Sequence, residues 1–372
     1  MLKRSLLTAS LIAVSISNVH ALPYGFYDAR SVAMGNVSVA TGGITTAALS
    51  NPGMLSVNEN DDTFAMLLPA IGVQAIDDGG VIDLVDEFQA IDNGSEESIL
   101  RQVEILQELE GASLIAAVIP NAAFVYSGDS FTMGVTLRAN AVVSAGLTDV
   151  VIPTLANPVE PDAVVRALGV AITEIGVPIG TDFSFSGMQL SVGVTPRFMQ
   201  VEVIEYSERL STIDVENIPD QDSEDLGSFT TFDAGVTLNI VNTFRVGLVA
   251  KNLIEETKTT RLGTNINFET QYRVGAAFDA GFMRIAADLD LTEIKPIAFE
   301  NPSKSFSVGA EFDAFSVAQL RVGYQTNLAS GATDPDLLSV GVGFWLGFNL
   351  DVAVVAGDDS SFGAFVQTGF HF

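Results

Sequence analysis

The chain contains no cysteine in 372 residues. That excludes disulfides, CxxC redox chemistry, thiolate metal sites and a lipoprotein anchor. Histidine is almost as scarce: only His20 and His371 occur, and His371 is next to the last residue. A serine triad or a histidine-based zinc site has almost nothing to build on. Basic residues are few, 17 Lys and Arg against 46 Asp and Glu, for a formal charge of −29. So acidic a chain repels polyphosphate, which excludes nucleic acid as a partner. No phosphate-cradling glycine loop is present, because Gly341 and Gly343 fall inside a strand pattern. Beyond the first few residues no apolar run reaches the ~18 needed for a spanning helix. Yet 48% of the residues are hydrophobic, far too many for an acidic disordered tail.

The start of the chain accounts for part of that hydrophobicity. Met1-Leu2-Lys3-Arg4 is basic, Leu6–Ile16 is apolar, and Val19-x-Ala21 supplies small residues. This order predicts a secretory signal peptide over residues 1–21, cleaved after Ala21. The apolar run is too short to cross a bilayer. Cleavage removes two bases and no acid, giving −29 − 2 = −31 over 372 − 21 = 351 residues. An exported, hydrophobic chain without spanning helices is either a soluble all-β periplasmic protein or a membrane β-barrel.

After Asn60 the sequence alternates between short turns and longer connections. Short turns are expected at Ser127–Ser130, Ser186–Gly187, Val241–Thr243, Asp279–Gly281, Asp313–Ser316 and Trp345–Gly347. Longer connections are expected near 75–111, 149–177, 210–227, 255–264, 291–303 and 329–336, with a brief one at Asp358–Ser360. Six turns and seven loops predict fourteen antiparallel strands over 61–372, the fourth near 178–185. The strands have two unlike faces. Met283, Ile285, Ala287, Leu289 and Leu291 oppose Arg284, Asp288 and Asp290; Phe306, Val308, Ala310 and Phe312 oppose Ser307, Glu311 and Asp313. Leu320, Val322 and Tyr324 oppose Gln319, Arg321, Gln325 and Asn327. Lipid outside and a charged lumen inside would produce this split, and so would a soluble sandwich turned the other way. Aromatics favour the barrel: Phe244, Phe278, Phe282, Phe312, Phe315, Phe344, Trp345 and Phe348 all flank short turns, where an interfacial girdle would sit.

Two stretches resemble known families. Phe362, Ala364, Val366, Phe370 and Phe372 alternate with Gly363, Gln367, Gly369 and His371. A final strand with Phe370 and Phe372 resembles the closing strand of bacterial outer-membrane barrels, which the insertion machinery reads. Near the other end, Phe26-Tyr27-Asp28-Ala29-Arg30, Met34-Gly35, Val39-Ala40, Ala48-Leu49 and Asn51-Pro52-Gly53 resemble the exported conjugal-transfer TraF-like proteins. The likeness extends to Gly247–Leu253, Ala287–Leu291, Val308–Glu311 and Leu320–Tyr324. More distantly the segment is similar to the FadL and PorV barrels. Asn36 replaces a usual Gly, and Gly53 a usual Ala. The resemblance implies that residues 22–60 fold into the lumen as a hatch. The TraF of the classical conjugative plasmid resembles thioredoxins, and this cysteine-free chain does not, so the shared label says little about activity. Small residues, the Asn51-Pro52-Gly53 turn and Arg30, which would need lumenal carboxylates, fit a hatch.

The expected fold is therefore all-β: a fourteen-stranded outer-membrane barrel with an N-terminal lumenal plug and short helices in extracellular loops. Val81, Ile82, Leu84, Val85 and Phe88 predict one helix; Ile99, Leu100, Val103, Leu106 and Leu109 predict another, started at Ser95. These form a lid over the mouth or a simple cap on neighbouring loops. Ala163–Ile175 predicts a third helix. Asp220-Gln221-Asp222-Ser223-Glu224-Asp225 departs from the EF-hand pattern and reads as a solvated tip. No catalytic residue, cofactor or metal is expected. Asp288 and Asp290, facing Arg245, Arg273, Arg284 or Arg321, need no catalytic role. Arg273, Arg284, Asp288, Asp290, Glu311 and Arg321 are expected to line the lumen. Three functions remain open: an envelope component linked to conjugation or secretion, a FadL-like conduit for hydrophobic molecules, or a soluble periplasmic protein. Expected partners are outer-membrane lipid, the insertion machinery, and either a hydrophobic small molecule or an envelope protein.

Overall fold

The computed structural model describes residues 27–57, 62–91, 95–110, 112–153, 160–212, 223–294, 302–314, 317–332, 334–357 and 361–372. The signal peptide, Asp220–Asp222, Phe315 and Asp358–Ser360 lie outside the described residues.

Alternating side chains decide the architecture. The first seven strands are β1 (Phe64–Asp78), β2 (Ser113–Ser127), β3 (Thr132–Val151), β4 (Asp162–Gly176), β5 (Ile179–Phe185), β6 (Met188–Arg209) and β7 (Glu224–Ile240). The next five are β8 (Phe244–Lys251), β9 (Glu256–Thr259), β10 (Asn265–Phe268), β11 (Gln271–Asp279) and β12 (Met283–Asp290). The last five are β13 (Ser305–Ala314), β14 (Ala318–Asn327), β15 (Leu337–Trp345), β16 (Asn349–Ala356) and β17 (Phe362–His371). Every neighbouring pair in the wall is antiparallel, and β1 pairs with β17, so the sheet closes on itself. Closure leaves no unpaired edge. Hairpin β9–β10 stands apart from this sheet, and β4 and β5 share one position between β3 and β6, which makes fourteen positions.

That shared position corrects two expectations. The segment Ala163–Ile175 is strand, not helix, and the long connection shrinks to 152–161. Val164, Val165, Val170, Ile172 and Ile175 are β-branched and fit a pleated wall. The expected fourth strand near 178–185 is only the lower part of a longer path. It breaks at Val177-Pro178 because proline has no N–H to give. The wall stays bonded there: Gly134 N donates to Pro178 O (2.9 Å) and Val177 N to Pro196 O (3.0 Å).

Five of the six short turns fall where the sequence places them, and the sixth, Asp313–Ser316, includes Phe315 and Ser316, which lie outside the described residues. Ser186 and Gly187 both have positive φ (48° and 79°), the geometry that matches a two-residue hairpin to strand twist. Outward residues are apolar. Leu320 and Val322 are 55% and 52% exposed, as are Val354 (49%) and Val366 (42%). Phe244 and Phe278 meet at 5.4 Å, Phe282 and Phe312 at 5.8 Å, and Phe348 and Phe370 at 5.7 Å, all at the short-turn end. An apolar outer band with an aromatic rim is the surface of a barrel that stands in lipid.

The wall is uneven. Strands β1–β4 run 15, 15, 20 and 15 residues, β6 22 and β7 17, whereas β8 and β11–β17 run 8 to 10. Two helices, α3 (Val81–Ala90) and α4 (Glu96–Glu108), pack on the tall part. Ser95 caps α4, its Oγ accepting from Ser98 N (3.1 Å). Their core is Phe88, Ile105, Leu106 and Leu109 against Ala163, Leu210, Val165 and Leu147. On β4 the inward set is Leu168, Val170 and Ile172, so Ala163 and Val165 have outward parity, and Leu147 is the cross-strand partner of Val165. The helices therefore lean on the outer flank of the wall rather than over the mouth. Ile99 and Leu100, expected on the buried face, are 37% and 64% exposed.

The upper lumen is filled instead by β9–β10. Ile266 and Phe268 are buried against inward Val170, Ile172, Met199, Val201 and Val203.

Candidate functional site

Residues 27–57 lie across the lumen and, apart from Arg30, Gly43 and Thr45, are buried. They form α1 (Ala29–Ala33), α2 (Ile44–Ser50) and a 3₁₀ turn, Pro52–Met54. Segments this short do not hold helices alone, so side-chain caps fix α1 and the 3₁₀ turn, while α2, with Gly43 at its N-cap, is tied through Thr46. Asp28 Oδ1 accepts from Ser31 N (2.6 Å), and its other oxygen accepts from the Thr46 hydroxyl, which joins α1 to α2. Asn51 Oδ1 accepts from Gly53 N (2.9 Å), and Asn51 Nδ2 donates to Val39 O (2.7 Å).

The wall receives this segment through glycines. A Cβ on Gly193 would lie 2.1 Å from Pro52 O, on Gly235 1.9 Å from Asn51 Oδ1, and on Gly247 2.7 Å from Val39 O. Further round, Gly309 would meet Met34 O at 2.2 Å and Gly323 the Gly35 N at 1.9 Å. Gly193 is opposite Gly235, Gly247 opposite Gly275, and Gly309 opposite Gly323. They form a belt where backbone meets backbone. Met34 closes α1, and Gly35 and Asn36 turn the chain with φ of 73° and 68°. Asparagine tolerates that left-handed region best after glycine, which explains Asn36 at a usual glycine position.

Charged ties complete the contact. Arg30 binds Glu311 through Nε (2.8 Å) and Nη2 (2.7 Å), and Nη1 donates to Thr41 O (3.1 Å). Arg321 Nε also donates to Glu311 (2.7 Å), and Arg284 stands 3.9 Å away. Arg321 continues to Asp351, which accepts from Gln367 Nε2 (2.9 Å), and Gln367 Oε1 accepts from Ala29 N (2.7 Å). Asp288 Oδ2 accepts from Ser38 N (2.8 Å) and Val39 N (3.0 Å). Arg273 and Asp290 pair within the wall (2.5 and 3.0 Å), and Asp290 accepts from Ser305 N (2.8 Å). Of the six lumenal charges read from sequence, Arg284, Glu311 and Arg321 meet at Arg30. Asp288 holds the backbone, and the Arg273–Asp290 pair stiffens the wall.

Below the segment, at the short-turn end, a cavity of about 600 Å³ opens between Arg30, Val57, Asp279, Trp345 and His371. At its rim, His371 Nδ1 is 3.0 Å from Asp62 Oδ1. At the β1–β17 seam Phe370 is opposite Met66, and Phe372 O accepts from Thr63 N (2.7 Å) and Phe64 N (3.0 Å).

The family model described as "F plasmid transfer operon, TraF, protein" matches residues 48–290. The chain belongs to that family. No curated protein matches its sequence. Solved structures share the fold at low identity. The Ralstonia pickettii toluene transporter TbuX is 12% identical over 94% of this chain and 99% of that chain, with a TM-score of 0.55. A TodX deltaS2S3 mutant monoaromatic hydrocarbon channel is 14% identical (93% and 99% covered, TM-score 0.55). A Pseudomonas aeruginosa FadL homologue is 11% identical (92% and 97% covered, TM-score 0.54).

This TraF-family barrel also holds a second charged cluster that the sequence reading misses. Arg197 Nη1 donates to Glu174 (2.7 Å), and Nη2 is 2.8 Å from Asp233. Lys251 donates to Leu49 O (3.1 Å) and reaches Asp233 (3.3 Å). The Tyr27 ring lies between Lys251 (4.6 Å) and Arg138 (4.7 Å). Glu174 and Arg197 sit inward on β4 and β6, so a correct strand at 162–176 would have revealed them.

Proposed function

We propose that this chain is a non-enzymatic outer-membrane barrel, exported by a signal peptide cleaved after Ala21, that stands closed at rest with residues 22–60 as its hatch. The observation that carries this reading is the Arg30–Glu311 fork. It joins the segment to the wall by a bidentate ion pair, which is strong but reversible. A fourteen-strand ring lies between the eight that fill themselves and the sixteen that leave a channel, so its lumen needs an occupant. As an envelope component linked to conjugation or secretion, it would meet a protein partner. The test is conductance of the purified mature protein in planar bilayers. Wild type should pass almost no current, and Arg30→Glu should open discrete steps. A silent Arg30→Glu that folds normally would overturn the reading. Deleting the gene should also lower mating frequency if the conjugation link holds.

A second reading, uptake of hydrophobic small molecules, is favoured by the apolar packing of Ile266 and Phe268 on Val170, Ile172, Met199, Val201 and Val203, where a hydrophobic molecule would take the place of the β9–β10 hairpin. The toluene transporter and monoaromatic hydrocarbon channel that share its fold support it. It predicts saturable binding of toluene or extracted lipid, and their absence from purified protein would count against it.

A further inference from the structure

We infer that the cavity beneath the hatch is a docking site for a basic side chain, arginine or lysine, on an extended segment of a periplasmic protein. Docked there, it competes with Arg30 for Glu311 and so frees the hatch. The inference rests on the closed-at-rest reading above.

Three observations carry it. The first is space. About 600 Å³ lies at the short-turn end, within the range of ligand pockets, and it reaches from the rim to Arg30 and Glu311. The second is charge. The lining brings three guanidiniums, Arg30, Arg284 and Arg321, against five carboxylates, Asp62, Asp279, Glu311, Asp313 and Asp351. With Arg245 standing 4.0 Å behind Asp279 as a fourth base, the five acids keep an excess of one negative charge before any visitor arrives, in a chain whose net charge is −29. Such a field draws in cations and turns anions away.

The third is that the site already holds a ligand of the proposed kind. Arg30 reaches Glu311 from a separate segment and grips both carboxylate oxygens (2.8 and 2.7 Å). Arg284 and Arg321 belong to β12 and β14 and are tied in the wall, Arg284 to Asp279 and Arg321 to Asp351. Arg30 alone among the three comes from the hatch. It is therefore the cation whose replacement moves something. A guanidinium arriving from the rim would find the same fork geometry that Arg30 uses.

The chain offers its own reporter. Trp345 is the sole tryptophan and lines this cavity. The experiment titrates tetra-arginine amide into detergent-solubilised mature protein and follows Trp345 emission. Bilayer conductance is recorded in parallel with peptide on the short-turn side. Tetra-glutamate is the control. We expect a saturable emission change with tetra-arginine only, accompanied by discrete conductance steps. Asp62→Asn/Asp313→Asn should weaken binding about tenfold by removing rim charge. Asp313→Asn alone, which leaves the Asp62–His371 contact intact, should weaken it less. Glu96→Gln/Glu97→Gln, on the exposed acidic helix, should change nothing. No saturable change, equal affinity in the rim variants, or binding without conductance would each overturn the proposal. Wild-type current before any peptide is added would instead sink the closed-at-rest reading, and the emission titration would still decide the docking site.

Discussion

A methyl group on Gly53 would sit 2.4 Å from the Val236 amide nitrogen and 2.5 Å from the Gly235 carbonyl carbon. Both are wall backbone and cannot step aside. Gly53→Ala should therefore lift the lumenal segment off its belt at a cost of about 1–3 kcal/mol. Faster proteolysis of residues 27–57 in folded protein would report it. Gly43→Ala is the matched control, because nothing lies within 4 Å of a Cβ there. The same scale separates the charge of Arg30 from its shape. Arg30→Lys keeps the cation and loses the fork, so it should open fewer channels than Arg30→Glu. Breaking the pair outright should cost about 3 kcal/mol, since it leaves buried carboxylate partly uncompensated. Arg30 and Asp28 were legible in the sequence because a charge among small residues is conspicuous. The glycine belt was not: one glycine per strand reads as local weakness until the register sets Gly309 beside Gly323.

Alternation made most of the wall readable, and it failed where both faces are covered. In β4, Leu168, Val170 and Ile172 meet the β9–β10 hairpin on the inside, while Ala163 and Val165 lie under α3 and α4 on the outside. With no polar face the period of two vanishes, and the run passes for an amphipathic helix. The helices themselves were legible in extent. Which faces they bury was not, since that depends on the flank they rest on. One pH prediction belongs to these elements. Arg101 joins the helices by gripping Glu87 (2.6 and 2.8 Å). That hydrogen bond holds the Glu87 carboxyl below its ordinary value. A depressed carboxyl stabilises the folded form at neutral pH and loses that contribution as pH falls through its lowered value. Amide exchange in α3 and α4 should quicken on acidification into that range. Arg101→Ala should remove the acid dependence, and a persistent dependence in that variant would refute the assignment.

For the molecule as a whole the test is inside against outside. Val322 points outward on β14 and is 52% exposed, whereas Gln319 belongs to the opposite, lumenal set. Val322→Arg should cost about 2–4 kcal/mol near the middle of the lipid band, and Gln319→Arg far less. Midpoints of folding into liposomes would show the difference, and equal losses would argue for a soluble sandwich. The fourteen-strand count and its turns were legible because tight turns and long loops differ in length and composition.

The unequal strands have a consequence for the membrane around the protein. Strands of 20 and 22 residues on one arc and of 8 on another give the outer edge a high side and a low side. On the high side a helical buttress stands outside the parapet, so a neighbouring protein or glycolipid meets bulk before it meets the staves. Close lateral contact at the level of these helices is therefore expected on the low arc.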